Sequence, residues 1–259
     1  MSGMENLRVV LVGTRNPLNL GAVARAMSNF GALDLRVVSP YEKAWREARS
    51  AVGAAELLAK AEEFATVAEA VADCTLVVGT TAVGYRELQQ PLRSLQAAGP
   101  VIRKRLATSK VALLFGSEKW GLSNESLSHC HWLLRIPTRA EHRSMNLGQA
   151  VAVCLYEMGK GGRERLTTEA TEEPQRAQRR AEKKKVRGSD ELPATMETVE
   201  RIGAVILEAL RKSGYVAKRG EGKAEEKLRR MLRRFSLSEA DAEVLVGMIR
   251  KILWKVESR

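Results

Sequence analysis

The sequence contains little of what disulfide frameworks and membrane spans require. Its 259 residues include three cysteines, Cys74, Cys130 and Cys154, an odd number without a CxxC pair. This pattern disfavours a disulfide framework and predicts buried thiols in a reducing compartment. No run of about 18 apolar residues occurs, so no membrane-spanning helix is predicted. The first ten residues lack the pattern of a secretion signal, and we expect a cytoplasmic protein.

Common motifs for metals and nucleotides are also missing. The one metal candidate is His129-Cys130-His131. On a strand, its two histidines would share one face with the cysteine opposite, and no second ligand cluster lies nearby in sequence, so we predict no metal. The chain has no GxGxxG followed by a distant acidic residue, no GxxxxGK[ST], no GxSxG and no zinc-deaminase signature. Aromatic residues make up only 5% of the chain, which argues against a base-stacking platform as the main binding mode.

Positive charge, by contrast, is abundant. The formal net charge is +12 and the isoelectric point is about 9.9. Such an excess favours a polyanionic partner, either nucleic acid or an anionic surface. A basic surface that is merely solvated is the alternative, and composition alone leaves it open.

The first 158 residues alternate apolar strand patterns with helix patterns. Strands are predicted at 7–12, 35–38, 76–80, 111–115 and 133–136. Helices are predicted at 19–30, 48–60, 67–72, 94–107 and 146–157, with Gly31 ending the first of them. Buried strands that alternate with helices indicate an α/β fold in which helices cover both faces of a parallel sheet.

Residues 159–193 form a polar stretch that we interpret as a linker, because large apolar residues almost disappear there. Between Gln175 and Arg187 the sequence has seven lysines and arginines and only one glutamate. The stretch is either a solvated spacer or a direct contact to nucleic acid. Residues 1–158, 159–193 and 194–259 are therefore predicted to be a main domain, a basic linker and a small all-α domain.

The last 66 residues, 194–259, show three amphipathic helical patterns. The third begins at Ser238-x-x-Asp241, which is similar to a capping box. Its predicted core stripe is Val244, Leu245, Met248, Ile249, Ile252 and Leu253. Basic residues occupy the predicted outer faces more densely than solubility requires, so we favour phosphate contact over a bare solvated face. These residues are Arg211, Lys212, Lys218, Arg219, Lys223, Lys227, Arg229, Arg230, Arg233 and Arg234.

Three loops of the first domain carry polar residues that a core does not explain. Residues 16–25 follow the first strand and include Asn16, Asn19 and Arg25. Here Pro17 and Gly21 are expected to shape a tight turn, and Asn19 is expected to cap the helix. Residues 115–123 place Glu118 between two glycines, where the fourth predicted strand ends. Residues 136–148 place Ser144 and Asn146 before a buried helix. Ligands bind at the carboxyl ends of strands in open α/β sheets, so these loops predict a ligand site.

Together the three loops resemble the three motifs of the SpoU/TrmH class of RNA 2′-O-methyltransferases, within the SPOUT superfamily. Residues 16–25, 114–121 and 136–148 match motifs one, two and three in order. The basic linker followed by a short helical unit containing LRRMLRRF is similar to the TrmJ-type tRNA methyltransferases. Those enzymes methylate cytidine, and in some members uridine, at anticodon-loop position 32.

The resemblance implies a C-terminal trefoil knot, S-adenosylmethionine as methyl donor, tRNA as substrate, and a homodimer with its sites at the subunit interface. Residues implied in catalysis are Arg25, Asn16, Glu118, Ser144 and Asn146. Residues implied in cofactor binding are Thr80, Thr81, Ala82, Gly116, Ser117, Glu118, Ile136, Ser144, Met145, Asn146 and Leu147. Arg25 is expected to bind a phosphate and stabilise the developing alkoxide.

Three other functions stay open at this point. The chain could methylate another tRNA position, it could methylate ribosomal RNA, or it could bind RNA on the same fold without catalysis. Binding of the cofactor separates the last of these from the first two, and a comparison of RNA substrates separates the first two from each other.

Overall fold

The computed structural model describes residues 3–43, 45, 55–82, 88–139, 141–163, 192–217 and 220–258. Within these ranges seven parallel strands form one sheet in the order β3-β2-β1-β6-β4-β7-β5. The strands are β1 Leu7–Val12, β2 Asp34–Val38, β3 Glu62–Phe64, β4 Leu76–Thr80, β5 Leu92–Ser94, β6 Val111–Phe115 and β7 Trp132–Arg135. The predicted parallel α/β sheet is confirmed. Sequence reasoning missed β3 and β5, which are three-residue edge strands without an apolar run.

The helices described are α1 Pro17–Phe30, α2 Ala55–Lys60, α3 Val67–Ala70, α4 Leu95–Leu106, α5 Asn124–Ser128, α6 Leu147–Arg163, α7 Met196–Lys212, α8 Glu221–Phe235 and α9 Glu239–Glu257. Most of the helix predicted at 48–60 lies outside the described residues, and only α2 is seen of it. The five-residue α5 was not predicted.

Helix α1 begins earlier than predicted. The Asn16 side chain accepts a hydrogen bond from the Leu18 backbone N–H and caps the helix, and Pro17 occupies the first turn. The prediction that Asn19 is the cap is therefore wrong. Gly21 lies within the helix, where an added Cβ would meet nothing within 4 Å, so it does not shape the turn. Gly31 ends the helix in the left-handed conformation, with φ 71°, as predicted.

Each face of the sheet is buried by its own set of helices. Side chains such as Val9, Leu11 and Leu113 pack under α1, α2, α4 and α6. Their neighbours in sequence, Val10 and Leu114 among them, point to the opposite face because side chains alternate along a strand. That second face is covered by α3, α5 and the C-terminal helices.

The C-terminal helices share a core with the sheet although residues 164–191 of the chain are not described. Met196, Ile202 and Leu232 are at most 2% exposed and belong to the same buried cluster as β1, β4, β6 and β7. The Met196 backbone N–H also donates to the Cys74 carbonyl at 2.9 Å. The apolar rows of the amphipathic helices α7 and α8 are thus explained by burial in this core.

Helix α9 buries only part of the stripe that was predicted. Ala242, Val246 and Leu253 are at most 7% exposed, so this row of residues packs inward, and Leu253 was among the predicted core residues. Leu245, also predicted, is partly buried against the same core. Val244, Met248 and Ile252 were predicted as core residues too, and each is 58% to 60% exposed. The helical period was read correctly, but apolar residues occur on more than one face of the helix, and sequence alone did not select the buried row.

The three cysteines and His129 are buried. All three thiols are free, and burial raises the pKa of Cys130 and of Cys154 to about 12. His131 precedes β7, and its Nδ1 accepts a hydrogen bond from the Val77 backbone N–H at 3.0 Å. Burial lowers the pKa of His131 to about 3. In the described ranges no group of three or more possible metal-binding side chains occurs. No helix there is long and apolar enough to cross a membrane.

Candidate active site

The three motif loops meet at one edge of the sheet. Strands β1, β6, β4 and β7 are consecutive neighbours and all run in the same direction. Leu11 pairs with Phe115, and Thr80 pairs with Leu134, so the strand ends are level. The loops that follow these strands therefore project from the same carboxyl edge, where α/β proteins bind ligands.

Glu118 connects the motif-two loop to the motif-one loop. Its Oε1 accepts hydrogen bonds from the Asn19 amide Nδ2 at 2.9 Å and from the Asn16 backbone N–H at 3.3 Å. Its Oε2 accepts from the Arg15 backbone N–H at 3.3 Å. A carboxylate with three such donors fixes the loop at the start of α1, which is a structural role beyond the predicted orienting one.

Asn146 extends this network to motif three. Its Nδ2 donates to the Asn19 Oδ1 at 2.8 Å. Its Oδ1 accepts from the Gly148 backbone N–H at 2.9 Å and thereby satisfies the first turn of α6. The result is a continuous chain of side chains, Glu118–Asn19–Asn146, which we call the motif chain.

Asn19 is the site residue whose role sequence reasoning missed. It is 8% exposed and lies in the first turn of α1, with one end bonded to Glu118 and the other to Asn146. The sequence did contain a signal. Only one of two asparagines three residues apart can cap the helix, and the other must find a different partner when it is buried.

Two glycines allow the backbone to approach closely around the motif chain. A Cβ on Gly116 would lie 2.0 Å from the carbonyl carbon of Gly121, across the bridge between Ser117 and Gly121. A Cβ on Gly148 would lie 2.6 Å from the Ala22 Cβ, where α6 crosses α1. Larger side chains at either position would push apart the loops that the motif chain joins.

The predicted cofactor residues lie at the ends of β4, β6 and β7. The Thr80 hydroxyl donates to the Leu114 carbonyl at 2.9 Å, and the Thr81 backbone N–H donates to the Leu134 carbonyl at 3.0 Å. Ile136 is half-buried and packs against the core. Leu147 is 7% exposed and belongs to the core. The other members of the set are exposed or half-buried on the same edge: Ala82, Gly116, Ser117, Glu118, Ser144, Met145 and Asn146.

Arg25 and Ser144 do not join the motif chain. Arg25 is exposed and lies on the face of α1 that carries Leu18 and Ala22, since these residues are three, four or seven positions apart. Leu18 is 79% exposed. Neither the Arg25 guanidinium nor the Ser144 hydroxyl has a hydrogen bond or ion pair with any residue that the structure describes.

Two of the predicted RNA-binding arginines are buried instead. Arg233 is 3% exposed, donates from Nη2 to the Glu200 Oε1 at 2.7 Å and donates from Nε to the His129 carbonyl at 2.8 Å. Arg229 donates from Nη1 to the Ser128 hydroxyl at 3.0 Å, and its Nε lies 3.2 Å from Glu200. The prediction that these two residues lie on an outer face is wrong, because they hold α8 against α7 and the sheet.

The carboxylate at the centre of this cluster stays ionised. Burial alone would raise the pKa of Glu200, but His129, Arg233 and Arg229 outweigh it and lower the pKa to about 2. Burial also lowers the pKa of His129, whose Nδ1 lies 3.4 Å from Glu200. A cluster of two guanidiniums and one carboxylate therefore forms the polar part of the contact between α8 and the sheet.

The other predicted basic residues differ in how they are paired. Lys223, Lys227, Arg230 and Arg234 lie three or four positions apart along α8 and form one row, which we call the α8 stripe. Within the described residues, Lys223, Lys227 and Arg234 are exposed without an ion pair. Arg230, Arg211 and Lys212 pair with Glu226, Glu221 and Glu208. Lys218 and Arg219 lie outside the described residues.

Residues 6–156, more than half of the chain, match the model of the SpoU rRNA Methylase family. The chain belongs to the SpoU methylase family. The three motif loops and the motif chain all lie within this matched region. Helices α7, α8 and α9 lie beyond it, so the family model alone does not account for them.

Two kinds of relatives extend the likeness to the whole chain. A tRNA (cytidine/uridine-2′-O-)-methyltransferase TrmJ from Salmonella choleraesuis is 32% identical over 96% of this chain and 97% of its own. A TrmJ from Yersinia pestis is 32% identical over 96% of this chain and 92% of its own. The crystal structure of TrmJ from Z. mobilis covers 95% of this chain and 98% of its own, with a TM-score of 0.75 and 29% identity.

Proposed function

We propose that this protein transfers a methyl group from S-adenosylmethionine to the 2′-hydroxyl of a cytidine or uridine ribose in tRNA. The observation that carries the proposal is the motif chain, which joins all three family motifs in one hydrogen-bonded unit. The TrmJ relatives, matched over nearly their full lengths, support tRNA as the substrate. Position 32 of the anticodon loop is the proposed target, and the cytoplasm is the proposed location.

The residues at the ends of β4, β6 and β7 suit the methyl donor. Thr80 to Ala82, Gly116 to Glu118 and Ile136 follow three adjacent strands, and Ser144 to Leu147 lead into α6. They offer hydroxyls, an amide and loop backbone groups for a polar cofactor, beside the partly buried apolar side chains of Ile136 and Met145. The cofactor supplies a methyl group on a sulfonium, whose departure leaves a neutral thioether.

A trefoil knot is part of the proposal for this region. Strand β7 lies between β4 and β5, although β5 precedes it in the chain. The ends of the connection from β4 to β5 are both bonded to β7. The Thr81 N–H donates to the Leu134 carbonyl, and the Leu133 N–H donates to the Pro91 carbonyl. A strand that lies between β4 and β5 and is followed by α6 supports a knot, which is otherwise a rare topology.

The chemistry asked of the protein is mainly positioning. Arg25 cannot serve as a base, because a guanidinium stays protonated above pH 12. We assign it to a phosphate of the substrate and to the negative charge that develops on the 2′-oxygen. Asn16, Glu118 and Asn146 hold the loops around the ribose, and Ser144 supplies an exposed hydroxyl at the same edge.

A homodimer would bring Arg25 to the motif chain of a second subunit. In one subunit Arg25 lies on the exposed face of α1, and Asn19 of the motif chain lies on its buried face. The neighbouring Leu18 is 79% exposed, and Tyr156 on the adjacent helix α6 is 49% exposed. An apolar surface around an unpaired arginine fits a subunit interface at which the site is completed.

Mixed dimers test this arrangement. A dimer of one Arg25→Ala subunit and one Asn146→Ala subunit is expected to regain about half of the activity if Arg25 acts across the interface. One of its two sites would then carry both substitutions and the other neither. No recovery, with dimers verified by mass spectrometry, would show that each site is built within one subunit.

The proposal gives each of the three predicted parts of the chain a role. We assign residues 1–158 to methyl transfer, 159–193 to a basic linker and 194–259 to RNA binding. The α8 stripe supports the last assignment, because exposed cations in a row suit a phosphate backbone. Arg211, Lys212, Lys218 and Arg219 remain proposed contributors.

The deciding experiment incubates the purified protein with S-adenosylmethionine and unmodified tRNA, followed by mass spectrometry of nuclease fragments. One new 2′-O-methyl nucleotide at position 32 is expected. A methyl group at another position, or on ribosomal RNA only, would contradict the proposed target and keep the chemistry. Binding of RNA without cofactor binding would contradict methyl transfer itself.

A further inference from the structure

A cavity of about 490 Å³ opens beside the motif chain, between the loops that follow β1 and β6. Gly13 and Arg15 line one side of it, and Ser117, Trp120 and Asn124 line the other. The Arg15 backbone N–H is bonded to Glu118, so one loop belongs both to the cavity and to the candidate active site. An occupant of the cavity would therefore lie next to the reacting ribose.

Trp120 gives the cavity an aromatic surface. It is 68% exposed, so its ring is available to a ligand. Its backbone N–H donates to the Ser117 hydroxyl at 3.3 Å, and the ammonium group of Lys119 lies 4.8 Å from its ring centroid. The Arg15 guanidinium is exposed at the same opening and has no ion pair among the described residues.

The cavity reaches from a proposed cofactor residue toward the basic helix. Ser117, which follows β6 and is proposed for the methyl donor, lines it. A second cavity of about 290 Å³ shares Asn124 with it and is also lined by Arg230 of the α8 stripe. None of the described residues proposed for the methyl donor after β4 and β7 lines either cavity. The two cavities together, which we call the groove, extend from the motif-two loop to α8.

We infer that this groove holds the RNA strand and that Trp120 stacks on a base flanking the methylated nucleotide, with Arg15 at a neighbouring phosphate. An aromatic ring stacks on any base, and a guanidinium suits the phosphate that links two nucleotides. The inference rests on the proposed function and gives a substrate-positioning role to Trp120, a motif-two residue to which the resemblance assigned none. A single stacking residue also agrees with the low aromatic content of the chain.

Trp254 provides a matched control for Trp120. It is 56% exposed, and the Lys251 ammonium lies 4.6 Å from its ring, so both tryptophans have the same kind of surroundings. Trp254 lies on α9 and lines neither cavity. The test compares Trp120→Ala, Trp120→Phe and Trp254→Ala in the full-length protein, by steady-state methylation of tRNA and by cofactor binding.

Loss of one stacked base is expected to raise the KM for tRNA by roughly 5- to 150-fold in Trp120→Ala. Trp120→Phe should recover part of this loss, and Trp254→Ala should match the wild type. Cofactor affinity should be the same in all four proteins. Equal KM values for Trp120→Ala and Trp254→Ala would overturn the inference, and so would a loss of cofactor affinity, which would assign the cavity to the methyl donor.

Tryptophan fluorescence separates this inference from the proposed function. Addition of tRNA is expected to quench the wild type and Trp254→Phe, and to quench Trp120→Phe much less. If the wild type methylates no RNA, the proposed function fails, but this quenching still shows whether Trp120 meets a base. Equal quenching of both variants would overturn the stacking contact whether or not methyl transfer occurs.

Discussion

Helices α1 and α8 both carry arginines in amphipathic sequences, and the structure uses these arginines in opposite ways. Arg25 on α1 is exposed and has no partner among the described residues. Arg233 on α8 is 3% exposed and bound to Glu200 and to a backbone carbonyl. The sequence of α8 is the more basic of the two, yet part of its charge serves packing.

The difference shows that a highly charged helix sequence does not place all of its charged side chains on the protein surface. A buried guanidinium requires an acidic partner and carbonyl acceptors, which Glu200 and His129 supply. An unpaired guanidinium on a surface has its full hydrogen-bonding capacity available to a ligand. Removing Arg233 should therefore damage the fold, whereas removing Arg25 should damage the reaction.

The largest expected effect comes from Arg233→Ala. It leaves Glu200 buried without its main partner, and breaking such a pair costs about 3–5 kcal/mol. Urea unfolding followed by circular dichroism measures the free energy of unfolding. Arg234→Ala is the control, because Arg234 is the adjacent exposed residue of the same helix. Equal stability of the two variants would contradict the packing role of Arg233.

Arg25→Ala should lower the activity and leave the stability of the fold unchanged. We expect a loss on the order of 100-fold or more in kcat/KM, as for a lost donor to a developing oxyanion. The free energy of unfolding should not change, because Arg25 makes no ion pair with the described residues. Methyl transfer from labelled cofactor to tRNA measures the rate. Near-normal turnover would remove Arg25 from the site.

Acid should weaken the contact of α8 with the sheet. The folded-state pKa of Glu200 is about 2, below its ordinary value of 4.5, so its stabilisation is complete above pH 4.5 and is lost as the pH falls toward 2. The pKa of His129 is also lowered, from 6.5, so protonation of His129 adds to the loss below that pH. We expect Glu200→Gln to be less stable at neutral pH and to lose less stability between pH 4.5 and pH 2.

A melting-temperature series over that pH range measures this difference. Glu208→Gln is the control, because Glu208 is an exposed residue paired with Lys212 on the same helix, α7. Parallel curves for the wild type and Glu200→Gln would show that the acid sensitivity arises elsewhere in the molecule.

The smallest effects are expected for single members of the α8 stripe. Lys227→Ala should weaken tRNA binding only severalfold and reduce the salt slope of log K by about one, which corresponds to one lost phosphate contact. Filter binding at several salt concentrations measures both values. Met248→Ala is the control, because Met248 is an uncharged, exposed residue of α9. An unchanged slope for Lys227→Ala would place the RNA away from the stripe.

Much of the fold could be predicted because its signals are local. The five central strands are apolar runs, and Gly31 and Ser238 mark helix ends through their own backbone and side chains. Strands β3 and β5 could not be predicted, because three residues at a sheet edge with one apolar side chain among them carry no pattern. The buried row of α9 was also out of reach, because a helix with apolar residues on more than one face fits several packings.

The candidate site divides in the same way. The sequence by itself determined the three motif loops, their order and the residue types they present, since a strand end, a cap and a glycine are each set within a few residues. Only the tertiary structure decided that Asn19 joins Glu118 to Asn146, across 99 and 127 positions. It also decided that Arg233 is buried and Arg234 exposed. Such choices depend on which distant side chains meet, because a buried polar group must be bonded wherever the fold places it.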